Sequence, residues 1–139
     1  MATKSDFTEV EWDALKKGVT GAGLLVSVSD PGFFDTFKEV GAMSRHVMQA
    51  QESSSSEFVR ELADIHGVGF GVTSSREKVE QETLQALQAA MTTLASKAPD
   101  EVEAYRQFVL DVARSVAQAA PGGEGPEADA IEKVRSALS

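Results

Sequence analysis

Val19-Thr20-Gly21-Ala22-Gly23-Leu24-Leu25-Val26 is an apolar, helix-like stretch that runs on to Ser29-Asp30-Pro31-Gly32. A related stretch, Val109-Leu110-Asp111-Val112-Ala113-Arg114-Ser115-Val116, runs on to Ala119-Ala120-Pro121-Gly122. At the offset of 90 residues that carries Pro31 onto Pro121, Val19 falls on Val109, Val26 on Val116 and Gly32 on Gly122. Each Pro-Gly is followed by an acidic stretch and another helix-like segment. The pattern predicts two degenerate helical-hairpin repeats within one all-α domain. It specifies an architecture and no reaction.

Upstream of the first stretch, Phe7-Thr8-Glu9-Val10-Glu11-Trp12 carries two helix-start signals. Thr8 and Glu11 have capping-box spacing, and Phe7 and Trp12 stand where a hydrophobic staple belongs. The first helix should therefore bury Trp12, Leu15, Val19, Ala22 and Val26, with residues 1–6 as a loose leader. Gly21 and Gly23 weaken that helix locally and permit close approach of a neighbour.

Pro31 suits the first turn of a second helix reaching about residue 50, with Phe33, Phe37, Val40, Met43 and Val47 inward. Ser53 to Ser56 form a joint, and Ser54 with Glu57 caps a short third helix that buries Phe58, Leu62 and Ile65. Gly67 ends it, and residues 67–73 read as a loop. Ser74 with Glu77 restarts a helix whose seam is Leu84, Leu87, Met91 and Leu94. Pro99 closes that helix and opens the next, where Asp100 and Glu101 suit the N-terminal dipole. Tyr105, Val109, Val112 and Val116 with Val102 form the stripe that follows. After the Pro121 to Pro126 turn, a last helix points Ile131, Val134 and Leu138 inward. Nothing alternates with period two, so no sheet is expected. The whole reads as a compact six- to seven-helix bundle over residues 1–139.

Composition narrows the function classes. The chain has 42% hydrophobic and 25% charged residues and a formal net charge of −9, which suits a globular fold. Such a surface repels phosphate backbones and anionic lipids, so nucleic acid is not an expected partner. Cations and basic protein surfaces fit better. With no cysteine, disulfides, thiolate metal sites and Cys nucleophiles are excluded. The longest apolar run, residues 19–28, is about half of the ~20 residues that a spanning helix needs. The N-terminus lacks a signal-peptide core. The expectation is a cytoplasmic protein without a transmembrane segment.

On these hairpins the chain resembles the tellurite-resistance TerB-like family, over roughly residues 8–138. Its hallmark is an apolar helix ending in an Asp-Gly turn, with an acidic residue in the next helix. Here Asp30 matches the turn Asp, and Asp35 or Glu39 the following acid. Pro31 stands between Asp30 and Gly32. In the second copy Ala120 replaces the turn Asp, and Glu124 and Glu127 are the remaining acids. The resemblance implies a compact all-α domain, a stress-associated role and metal-ion binding at the acidic turns.

The residues themselves set the limits of that implication. Asp35 and Glu39 are i,i+4 and share a helix face, whereas Asp30 before Pro31 is placed to cap. The bland reading of Asp30, Asp35 and Glu39 is a cap plus a solvated acidic face. A site for calcium, magnesium or zinc is the sharper one, because hard cations want several converging oxygens. Glu124, Glu127 and Asp129 lack EF-hand spacing and read first as acids at a helix N-terminus. Gly67-Val68-Gly69-Phe70-Gly71 has no preceding strand and no P-loop lysine, so it reads as a loop, whose Phe70 either plugs the core, the reading adopted, or is exposed for a partner. His46 and His66 stand in no zinc motif. There is no Gly-x-Ser-x-Gly elbow, and no carboxylate pair can be assigned to acid–base work. Leu24, Leu25, Phe34 and Met48 lie off the stripes. They either widen the buried face of two central helices, the reading adopted, or form a dimer surface.

The expectation is a non-enzymatic binding or adaptor module with a protein partner or a second copy, and with weak divalent-cation binding at Asp30, Asp35 and Glu39. The alternatives are a helical ligand-binding protein or enzyme with an internal pocket, and a structural homo-oligomer.

Overall fold

The structure is a computed structural model that describes residues 4–28, 57–62, 76–119 and 125–138. Among the described residues there are five α-helices: α1 (Glu9–Val28), α2 (Glu57–Leu62), α3 (Arg76–Lys97), α4 (Val102–Ala119) and α5 (Gly125–Ala137). Single 3-10 turns precede α1 at Lys4–Asp6 and α4 at Pro99–Glu101. Among the described residues every regular element is helical and there is no strand. None of these helices is long and apolar enough to cross a membrane.

Helix α1 begins where its capping box places it. The Thr8 N–H donates to Glu11 Oε1 at 2.8 Å, and the Glu11 N–H donates to Thr8 Oγ1 at 3.1 Å. Two otherwise unpaired backbone donors are satisfied at once. The staple is present too, with the rings of Phe7 and Trp12 5.7 Å apart. The Phe58 ring of α2 lies 5.8 Å from both, tilted to Phe7 and edge-on to Trp12, and reaches Tyr105 of α4 at 6.5 Å. These four rings close one end of the core.

The predicted α1 stripe of Trp12, Leu15, Val19, Ala22 and Val26 is buried, and so is Leu25. Leu24 is half-buried against the same core. Residues 18–23 are buried in succession, so the helix is enclosed on all sides there. That makes α1 the central element, packed against α3, α4 and α5. Helix α3 runs antiparallel to it. Lys97 at the end of α3 pairs with Glu11 at the start of α1, and Lys17 lies 3.5 Å from Glu82 farther along.

The seam of α3 is rotated from the leucine pattern. Leu87 and Leu94 are fully buried, but Leu84 and Met91 sit at the margin, and the buried face is completed by Val79, Thr83, Ala86 and Ala90. Small side chains at the centre let α3 and α1 approach closely, and the large ones are displaced to the edges. Helix α4 buries Tyr105, Phe108, Val109, Val112 and Ala113, and α5 buries Ala130, Val134 and Leu138. The Arg106 guanidinium donates through Nε and Nη2 to the Leu138 carbonyl at 3.3 and 3.2 Å. This ties the end of α5 to the start of α4 and satisfies a helix-terminal acceptor.

The helix expected after Pro31, the Ser53 to Ser56 joint, Ile65, and the 67–73 loop with Phe70 lie outside the described residues. So do Phe34 and Met48.

Candidate functional site

Helices α3 and α5 both pack on α1 and touch each other. Between them is a groove of about 570 Å³. Its size falls within the range of ligand pockets. One wall is Glu80, Leu84 and Gln88, one helical turn apart on α3. The other comes from successive turns of α5, with Ala130 and Ala137 low and Asp129, Glu132 and Lys133 high. Leu25 of α1 forms the floor. The small side chains of Ala130 and Ala137 are part of its lining.

The floor is apolar and the rim is acidic. Lys133 Nζ bridges the groove to Glu80 Oε1 at 2.7 Å. Glu132 pairs along its own helix with Arg135 at 3.2 Å. Asp129 is exposed and makes no ion pair among the described residues. Among the described residues that line the groove Lys133 is the only cation and is already paired, which leaves Asp129 and Glu132 as the outward charges of the rim. A second, shallower depression lies between α1 and α3. There Val10 is 79% exposed beside Asp13, Ala14, Lys17 and Ala86.

One buried polar group among the described residues is structural. The Tyr105 hydroxyl is fully buried and donates to the Leu15 carbonyl at 2.8 Å. It occupies a recess that exists because residue 18 is glycine: a Cβ there would collide with the hydroxyl and meet Leu87 Cδ2 at 3.0 Å. Burial pushes the Tyr105 phenol well above its ordinary value of 10.0. Two further hydroxyls, Thr20 Oγ1 and Thr83 Oγ1, are buried without a hydrogen-bond partner among the described residues. Glu11 is shifted the other way. The Lys97 ammonium, and then the Thr8 N–H, hold its carboxyl below the usual value of 4.5.

Asp30, Asp35, Glu39 and Glu124 lie outside the described residues, as do His46 and His66. Glu127 falls in the first turn of α5, which begins at Gly125. That placement fits an acid at the positive end of a helix dipole. Among the described residues no three His, Asp or Glu side chains converge to hold a metal ion.

Sequence reading missed the groove, the Gly18 recess and the two unpaired threonines. Gly18 within an otherwise well-formed helix was an available signal for close approach. The groove had none, because Glu80 and Asp129 are brought together only by the packing of α3 on α5.

No protein-family model, no curated protein and no solved structure matches the chain.

Proposed function

We propose that the chain is a non-enzymatic binding module that works through the α3–α5 groove, built on two degenerate helical-hairpin repeats of TerB-like type. The observation that carries the binding reading is the groove itself: an apolar floor of Leu25, Ala130 and Ala137 under an acidic rim. Pockets of this size with an apolar floor and a few placed charges are the usual form of a recognition site.

The repeat reading is supported by burial in register. At the offset of 90, Leu15, Val19, Thr20 and Ala22 of α1 correspond to Tyr105, Val109, Leu110 and Val112 of α4, and all eight are buried. Leu15 and Tyr105, equivalent positions in the two copies, are joined by the buried hydrogen bond. Contact between equivalent positions is what a twofold relation between copies produces. A weak cation site at Asp30, Asp35 and Glu39 belongs to the same TerB-like proposal and rests on the sequence of the first turn.

The test is selection of a displayed random peptide library on the wild-type protein and on Ser136→Trp. Ser136 is exposed on the groove wall, so the indole fills the groove without entering the core. Peptides enriched on the wild type and lost on Ser136→Trp are the expected result. Equal enrichment on both would move the working surface elsewhere.

A further inference from the structure

The shape and charge of the groove narrow the class of partner, and this step rests on the binding reading above. Its two walls are helices offering residues 80, 84 and 88 on one side and 129–137 on the other. Eight residues of helix rise about 12 Å, so each wall spans a little over two turns. A cleft of that form matches the recognition mode in which an amphipathic helix lays its apolar face between two others, with anchors at i, i+3, i+4 and i+7.

Charge chooses among amphipathic helices. Asp129 is exposed and unpaired among the described residues, and Glu132 is exposed with only its i+3 arginine. Lys133 is held by Glu80 across the cleft. A partner with acids beside its apolar stripe would meet Asp129, Glu132 and a chain of net charge −9. A partner with Lys or Arg there would complement the rim, gain from the field during approach, and could compete with Lys133 for Glu80. We infer that the α3–α5 groove docks a basic amphipathic helix of a partner protein, with leucine-like anchors on Leu25, Leu84 and Ala130 and lysine or arginine side chains on Asp129, Glu132 and Glu80.

The probe is a labelled 14-residue peptide of Leu and Lys with Leu at i, i+3, i+4 and i+7, read by fluorescence anisotropy. A scrambled peptide of the same composition runs beside it. The full chain is used as wild type, as Asp129→Asn/Glu132→Gln, as Ser136→Trp, and as Glu9→Gln/Asp13→Asn. The last variant has the same net charge as the rim variant. Its substitutions lie 12 to 16 residues before Leu25 on α1, roughly 18–24 Å by helical rise, which exceeds the ~8 Å screening length at physiological salt. All three variants change exposed positions, and circular dichroism confirms their folding.

The expected result is saturable binding to the wild type that weakens about three- to tenfold in the rim variant, as the loss of two exposed ion pairs predicts. It should be lost in Ser136→Trp and change less than about twofold in the distant variant, since screened charges contribute little. Equal loss in both charge variants, or equal binding of the scrambled peptide, would reduce the effect to bulk attraction and overturn the inference. No binding of the basic peptide, while library peptides still depend on Ser136, would overturn the partner class and leave the groove reading standing. If library selection also ignores Ser136→Trp, the groove reading itself fails. A wild-type dimer in sedimentation that dissociates in Ser136→Trp would assign the groove to a second copy instead.

Discussion

Residue 18 shows how far a single side chain can depend on its surroundings. In an exposed helix, Gly→Ala gains about 0.5–1 kcal/mol, because glycine loses more backbone entropy on folding. Gly18 faces the Tyr105 hydroxyl and Leu87 instead, and forced overpacking costs about 1–3 kcal/mol. Gly18→Ala is therefore expected to lower the urea midpoint. Tyr105→Phe removes one buried hydrogen bond, at a net loss of about 0.5–1.5 kcal/mol, because the Leu15 carbonyl keeps its place in the α1 ladder. It also removes the nearest atom that an alanine at 18 would strike. The double variant should then be more stable than the sum of the two losses predicts, by about 1 kcal/mol, within the usual range for residues in contact. Strict additivity would mean that the recess does not constrain residue 18. The same phenol fixes a pH dependence. Its folded pKa is raised, so its contribution is fully present below the ordinary value of 10.0 and fades as pH climbs above it. Tyr105→Phe should flatten the alkaline limb of a stability–pH curve, with Phe58 left beside the ring.

The elements are held mostly by apolar faces, and their ends by a few polar contacts. The start of α1 is the clearest case, where Glu11 serves two partners at once: the Thr8 N–H within its own capping box and the Lys97 ammonium at the end of α3. Both favour the carboxylate, and they hold the Glu11 pKa below 4.5 in the folded chain. A depressed carboxyl contributes stability above its unfolded value and loses it as pH falls through the folded one. Lys97→Ala should accordingly lower stability near pH 7 slightly, as expected for an exposed pair, and should make the decline below pH 4.5 shallower by that same small amount. A parallel acid limb in wild type and variant would assign the acid sensitivity to other carboxylates. Thr8→Ala acts chiefly through the cap, since the Thr8 hydroxyl is the smallest of the contacts that lower the Glu11 pKa. It is expected to cost about 1 kcal/mol across the whole pH range, seen as a lower midpoint with an unchanged urea slope.

At the scale of the whole molecule, what could be read in the sequence was what depends on neighbours in the chain. The capping box at Thr8, the stripe from Trp12 to Val26, the break at Pro99 and the inward Val134 and Leu138 all follow from local spacing. The rotation of α3 toward Thr83 and Ala90 did not, because it is set by how closely α1 can approach. The α3–α5 groove did not either, since its lining is assembled from three helices distant in the chain. The acidic turns pose the converse problem: Asp30, Asp35 and Glu39 are legible only as spacing. A chain of net charge −9 gathers cations diffusely, so bound cation alone would say little. What separates a site from an atmosphere is saturation at defined stoichiometry and dependence on particular carboxylates. Chelator-treated protein titrated calorimetrically with calcium, magnesium and zinc should show weak saturable binding that disappears in Asp35→Ala/Glu39→Ala. It should persist in Asp129→Asn/Glu132→Gln, which removes the same charge from the groove rim. Equal loss in both variants would mean that the cations respond to total charge. No saturable heat with any of the three metals would leave Asp30 as the cap before Pro31, Asp35 and Glu39 as a solvated face, and the groove between α3 and α5 as the place to look for what this chain binds.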